Sequence, residues 1–361
     1  MEMVEIPRRM KVIHEYQEQG GRVAAVFPIH YPRALLRAFG FLPVEVWGPP
    51  KVSWSSGAAH LQPYICSIVR NALSFLQSGG LEVTDLLLVP HACDSLQGLG
   101  SILTDFISPR QPVLTLYLPR GRRESDVDFL ANELRSLHRR LGAISGRSVS
   151  EDELMACLML EEEADGLLAE LHRQRQSISL DDETFYRLIR SREYLPAEGF
   201  AALSQSVLLQ VVETQPGGIP IILSGIAPEP MSLFKALAEM GGRVAADDLA
   251  CCGRRLYPAG QSNDPFQRMA ERIVHAPPDP TRGSPIRERL DHILRLVETY
   301  GAKGVVFYAV KFCEPELFDL PVLRQGLRER GIPSLSVEVD ISDELNQPAI
   351  TRLAAFLEMI Q

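Results

Sequence analysis

Short apolar runs alternate along the chain with longer stretches in which apolar residues recur every three or four positions. A short run bounded by turn signals reads as a buried parallel strand, and the wider spacing reads as a helix with one buried face. Residues 23–28 (VAAVFP) give a first strand, followed by a helix that Pro32 opens and Gly40 closes. Residues 43–47 give a second strand, and residues 48–57 a loop rich in Pro, Gly and Ser. In LQPYICSIVRNALSFLQSGG, Ile65, Val69, Leu73 and Leu76 fall at helical spacing before Gly79-Gly80 stops the helix. A strand at 84–90 (TDLLLVP), a helix at 96–107 and a strand at 113–118 (VLTLYL) follow.

From 125 to 214 no strand pattern occurs; 127–141, 150–176, 182–192 and 197–212 read as amphipathic helices. Glu161-Glu162-Glu163 reads as a solvated helix face and Cys157 as a core residue. After a break at 215–218 (QPGG), strands at 219–224, 243–246, 305–310 and 334–339 alternate with helices at 230–240, 284–300, 321–330 and 348–360. The 243–246 strand ends in Asp247-Asp248, and Pro315 forbids the 305–310 strand from continuing. The expected class is α/β, organised as residues 1–124, a helical segment 125–214, and a second α/β unit 215–361. The two units are alike in layout and not in sequence.

A length of 361 residues suits two such units. Hydrophobic content of 45% and charged content of 23% are those of an ordinary globular protein. A net charge of −9 argues against nucleic-acid and anionic-membrane partners. No apolar run approaches the roughly 20 residues that span a bilayer, and the N-terminus lacks the apolar stretch of a signal peptide. The expected location is cytoplasmic, with Cys66, Cys93, Cys157, Cys251, Cys252 and Cys313 reduced. No phosphate-binding loop, dinucleotide fingerprint, C-x-x-C, H-E-x-x-H or G-x-S-x-G occurs.

Three cysteines stand at element ends. Cys93 and Cys313 follow strands, where open α/β sheets gather ligands, and Cys66 lies at a helix start, where the dipole favours thiolate. If the two units face each other, all three meet in one cleft. Three thiolates suit a [4Fe–4S] cube with one open iron. Zinc with His91 or Asp94 as a fourth ligand, and three inert core thiols, remain alternatives. Asp94 also reads as a helix cap.

The segments HLQPYICSIVR, DLLLVPHACDSLQGL, GVVFYAVKFCEPELFDLPVLRQGLRERGIPSLSVEVD, ITRLAAFLEMI and VAAVFPIHYPRALLRAFGFLPVEVWG resemble the 2-hydroxyacyl-CoA dehydratase and benzoyl-CoA reductase family. Within it they are most similar to the 2-hydroxyglutaryl-CoA dehydratase D-component type of subunit. The resemblance runs nearly end to end and is weakest in the helical middle. It implies two facing Rossmann-like parallel-sheet domains and a [4Fe–4S] cluster held by Cys66, Cys93 and Cys313. It also implies a homologous subunit in a homo- or heterodimer, and a separate ATP-dependent iron–sulfur activator that delivers one electron. The implied substrate is a CoA thioester. The implied reaction is dehydration through a ketyl radical, or reduction of an aromatic or other unsaturated substrate. A non-catalytic, cluster-carrying partner subunit is a further alternative. Cys251 and Cys252 depart from the family pattern and are either core residues or extra ligands of a larger iron–sulfur cluster. Ser67, beside Cys66, and His30, after the first strand, are the candidates to face substrate. Arg254, Arg255 and Arg282 are candidates for CoA phosphates, against the plainer expectation of surface arginines.

Overall fold

The computed structural model describes residues 4–49, 52, 59–211, 217–341 and 344–361. Most of the expected 48–57 loop, the end of the 197–212 helix and the first two residues of the 215–218 break lie outside the described residues.

In the first half, α1 (Arg9–Glu18), β1 (Arg22–Val26), α2 (Arg33–Ala38), β2 (Phe41–Glu45), α3 (Ser67–Gln77), β3 (Leu86–His91), α4 (Asp94–Ile102) and β4 (Val113–Tyr117) follow in order. The helical middle comprises α5 (Glu124–Ser145), α6 (Glu151–Arg173), α7 (Asp182–Ser191) and α8 (Ala197–Leu208). The second half comprises β5 (Ile219–Gly225), α9 (Ser232–Glu239), β6 (Gly242–Leu249), α10 (Pro265–Val274), α11 (Ile286–Tyr300), β7 (Gly304–Val310), α12 (Glu314–Arg328), β8 (Ser334–Val339) and α13 (Gln347–Ile360).

The strands make two four-stranded parallel sheets with orders β2-β1-β3-β4 and β6-β5-β7-β8. The class is therefore α/β with two parallel sheets, and both sheets have the same topology. Strands covered on both faces need unbroken apolar sequence, and Val23–Val26 and Leu86–Val89 are wholly buried. In each sheet the order reverses between the first and third strands in sequence, β1/β3 and β5/β7. Such a switch point opens a crevice at the strands' carboxyl ends.

The helical middle is not a separate body. α5 lies on β4 and against α10 from the second half, α6 packs on α2, α8 and α10, and α7 packs on α9. One hydrophobic core runs from β1 and β3 through α6 and α7 to β5, β7 and α13. Because α6 is covered on several sides, the expected solvated face of 161–163 is wrong for two of its three residues. Glu161 is buried and paired with Arg192 and Arg33, and Glu162 accepts two 2.8 Å bonds from Arg268. Only Glu163 is exposed.

One helix start also differs from expectation, and two helices, α1 and α10, were not anticipated. The helix expected at 321 begins at Glu314, with Pro315 in its first turn and Pro321 inside it. A first-turn proline has no N–H that the helix needs, so Pro315 both ends the strand segment and opens the helix. α10 was not anticipated, although Asp264-Pro265 is a start signal: the Asp264 carboxylate accepts from the Phe266 and Gln267 N–H groups at 2.8 and 3.2 Å. No described helix is long and apolar enough to cross a membrane.

Candidate functional site

Cys66, Cys93 and Cys313 occupy the same local position. Each is the N-cap of a helix: Cys66 of α3, Cys93 of α4 and Cys313 of α12. Cys93 follows β3 and Cys313 follows β7, so these two stand at equivalent points of the two sheets. Cys66 and Cys313 are buried and Cys93 is half-buried.

Their sulfurs share one electrostatic neighbourhood. Cys66 raises the Cys93 thiol, and Cys66 and Cys93 both raise Cys313. Burial is the largest influence on each. It lifts Cys66 above the ordinary thiol value, pushes Cys93 up to about 12, and lifts Cys313 well above the ordinary thiol value. The first-turn N–H groups act the other way, from Ile68 and Val69 on Cys66, from Ser95 and Leu96 on Cys93, and from Glu316 on Cys313. The expectation that the helix start would favour the Cys66 thiolate holds only for that contribution, because desolvation outweighs it.

Among the described residues, no three His, Cys, Asp or Glu side chains converge closely enough to hold a single metal ion. The fourth ligands considered for zinc, His91 and Asp94, each have another neighbour. The His91 ring packs edge-on against Tyr117 at 4.6 Å, and Asp94 pairs with exposed Arg120 at 3.2 Å. Asp94 is the first residue of α4 and not its cap. A cube with iron at alternate corners spaces its cysteine ligands more widely than one ion does. Three soft donors, each at a helix N-terminus that favours negative sulfur, suit such a group.

A cleft of about 250 Å³ opens beside Cys93, lined by Cys93 and Ser95 from the first half and Thr281, Glu314, Phe318 and Asp319 from the second. It is bordered by the residues that follow the carboxyl ends of β3 and β7, the third strands of the two sheets.

Behind Cys313 lies a buried ionic network that reaches the cleft at Asp319. Glu316, in the first turn of α12, accepts from Arg254 Nη1 at 2.6 Å and from Arg289 Nη2 at 2.7 Å. Asp248, at the end of β6, takes Nε and Nη2 of Arg254 at 2.9 and 3.0 Å, and Nε and Nη2 of Arg289 at 3.2 Å. Burial alone would raise the Asp248 carboxyl, but Arg254 and Arg289 hold it down to about 2. Arg289 Nη1 also reaches Asp319 at 3.2 Å; there burial outweighs the arginine and lifts the Asp319 carboxyl. Arg254, Arg255 and Arg282 are thus buried and not surface residues. Arg255 pairs with Glu45, and Arg282 donates to the Val274 carbonyl at 3.3 Å.

Ser67 is buried beside Cys66, and its hydroxyl accepts from the Ile341 N–H at 3.4 Å. His30 is buried, with Nδ1 3.2 Å from the Tyr257 hydroxyl and Nε2 3.4 Å from Asp279. Burial holds its pKa down to about 4, so the ring is neutral near pH 7. Neither residue lines the cleft. Cys251 and Cys252 are buried with sulfurs 3.3 Å apart, and the groups acting on Cys252 are Cys251, Asp247 and Arg190. Sequence reasoning missed Glu316, Arg289, Asp248 and Asp319. The signal available was the pair of dyads Asp247-Asp248 and Arg254-Arg255, with Glu316 three residues after Cys313.

A family model described as 2-hydroxyglutaryl-CoA dehydratase, D-component, matches residues 28–360. The chain is 25% identical to the (R)-phenyllactyl-CoA dehydratase beta subunit of Clostridium sporogenes, over 99% of this chain and 97% of that relative. It is 25% identical to the beta subunit of the lactoyl-CoA dehydratase of Anaerotignum propionicum, over 97% and 95%. It is 26% identical to a subunit of the benzoyl-CoA reductase of Thauera aromatica, over 94% and 91%.

Proposed function

Because the chain belongs to the 2-hydroxyglutaryl-CoA dehydratase D-component family, we propose that it is an iron–sulfur subunit for one-electron chemistry on a CoA thioester, with Cys66, Cys93 and Cys313 as the ligands of a [4Fe–4S] cluster. The observation that carries this is the three-fold placement of cysteine at helix N-caps within one neighbourhood, beside a cleft between the two sheets. When bound, the cluster would supply the low-potential electron that thioester dehydration or reduction requires.

The protein's own groups have defined tasks. The three thiols give up their protons on ligation, and the first-turn N–H groups of α3, α4 and α12 stabilise the resulting negative sulfur. Burial of Cys66 and Cys313 excludes water from two of the three sulfurs, and half-buried Cys93 faces the cleft through which substrate enters. Cys251 and Cys252 act as core thiols, since both are buried within the main hydrophobic cluster. The relatives' names, which call them subunits, support a homologous partner chain. The energy-coupling step belongs to a separate ATP-dependent iron–sulfur activator, in keeping with a sequence that has no phosphate-binding loop.

Dehydration of a 2-hydroxyacyl-CoA is the first reading. Reduction of an aromatic acyl-CoA is the second, supported by an identity to the Thauera reductase chain as high as those to the dehydratase chains. Anaerobic iron analysis tests the cluster. Wild type should bind about four irons per chain, and Cys66→Ser, Cys93→Ser and Cys313→Ser should each lose most of it, whereas Cys251→Ser and Cys252→Ser should not. Full iron in any of the first three variants would refute the ligand set. Turnover with partner chain, activator, ATP and candidate thioesters then separates dehydration from reduction.

A further inference from the structure

We infer that Glu316 is a positioning residue for the Cys313 sulfur: clamped between two buried arginines, it fixes the first turn of α12, which Cys313 caps, and with Asp248 and Asp319 it gives the network behind that turn an excess of negative charge that keeps a cluster bound at Cys313 hard to reduce. The inference rests on the cluster reading above and adds to it a group that tunes the cluster without touching it.

The first turn of α12 is tied to the sheet through charge, while Leu323 and Leu327 further along the helix pack on Ile222, Val305 and Phe307. Each Glu316 oxygen takes a different guanidinium, Arg254 at 2.6 Å and Arg289 at 2.7 Å, and both guanidiniums are bound in turn to Asp248 on β6. Ser224 on β5 donates to the same Asp248 at 2.7 Å. Cys313 is the N-cap of α12, and Glu316 is the third residue of that helix, in the same first turn. The residue clamped by both arginines thus shares a turn with the ligand. A shift of that side chain would move the turn that carries the sulfur.

The charge balance carries the second half. Among the described residues, Asp248, Glu316 and Asp319 are ion-paired with Arg254 and Arg289 alone, and a fourth carboxylate, Asp279, lies 3.9 Å from Arg254. Arg254, Arg289, Asp248 and Asp279 have no exposed surface. A buried ionic network of this kind seldom stabilises a fold, since well-packed apolar side chains of similar volume do as well or better. A role in setting the electrostatics at Cys313 gives it another purpose: uncompensated negative charge near a cluster disfavours adding an electron, and second-sphere groups set potentials in this way.

Glu316→Gln and Asp319→Asn each remove one negative charge. Asp319→Asn keeps an oxygen for its single contact, Arg289 Nη1, and so carries the test if Glu316→Gln does not fold. The measurement is an anaerobic redox titration of the reconstituted protein, followed by visible absorbance and electron paramagnetic resonance, with iron counted on the same sample. Both variants should keep their iron, and their midpoint should move positive by about tenfold in the reduction equilibrium, about 59 mV for one electron. Variants with full iron and a wild-type midpoint would overturn the inference and leave the cluster reading standing. A wild-type chain that takes up no iron would overturn the cluster reading and this inference with it.

Discussion

Replacing Arg289 by Met tests how the second sheet holds α12. Met keeps most of the side-chain volume and removes the guanidinium, which makes bonds to Asp248, Glu316, Asp319 and Ser224. Removing one partner of a buried ion pair typically costs 3–5 kcal/mol, because the other charge is left unpaired. Here Asp248 and Glu316 retain Arg254. Asp319 loses the cation it is paired with, but it lines the cleft, where water can reach it. The expected cost is therefore at the lower end, about 3 kcal/mol. With a slope of about 3 kcal/mol/M, the urea midpoint should fall by about 1 M with the slope unchanged.

The pH dependence of that cost has a definite sign. In the wild type, Asp248 is held down to about 2, below an unfolded value of about 3.9. Its contribution is fully present above the unfolded value and is lost as pH falls through about 2. In Arg289→Met, Asp248 and Asp319 lose a cation that holds their carboxyls down, and their pKa values rise. A raised folded-state carboxyl favours the folded chain as it takes up a proton, so the cost should be largest near pH 8 and shrink toward pH 5. A cost at pH 8 under about 1 kcal/mol, the level of an ordinary surface pair, or one that does not change between pH 8 and pH 5, would refute the reasoning.

Two further outcomes follow from the geometry. In the metal-free chain at pH 8, Cys93, pushed up to about 12, should be ionised in about one molecule in ten thousand and alkylate with iodoacetamide far more slowly than an exposed thiol; alkylation at the exposed-thiol rate would contradict the burial argument. At the carboxyl end of β5, Gly225 has φ +152° and an added Cβ would lie 2.2 Å from the Tyr308 carbonyl oxygen, so Gly225→Ala should cost more than about 3 kcal/mol in a thermal or urea melt. Gly166→Ala, in α6 with open space around it, is the control and should stabilise by about 0.4–1 kcal/mol.

Both sheets were legible because parallel strands buried on two faces must be written as apolar runs, and no other constraint competes with that in 23–28, 84–90 or 305–310. The three N-cap cysteines were legible as element ends, since Pro315 and the strand patterns mark where β3 and β7 stop. What covers a charged side chain was not legible. Arg254, Arg289 and Glu161 sit in sequence contexts that suit a solvated surface, and they are buried only because distant segments close over them: α12 over the first two, and α2 and α8 over the third. Periodicity reports one element's own faces and carries no information on how many neighbours that element has. The start of α12 failed for a related reason. Proline is both a strand stop and a first-turn residue, and local sequence does not decide between them.

The electrostatics of the site point to a particular order of events. Three helix N-termini favour negative sulfur, while burial and, at Cys313, the Glu316 carboxylate oppose it. In the metal-free chain the opposition wins at all three positions, and the thiols keep their protons. Thiolate becomes tolerable there only when a cation arrives with it, because the positive charge of iron offsets both the desolvation and the neighbouring carboxylate. Under the proposed ligand set, loading is therefore coupled to proton release and should strengthen steeply with pH. The buried network would also keep a loaded site from relaxing, since α12 cannot move its N-terminus without parting Glu316 from two buried arginines.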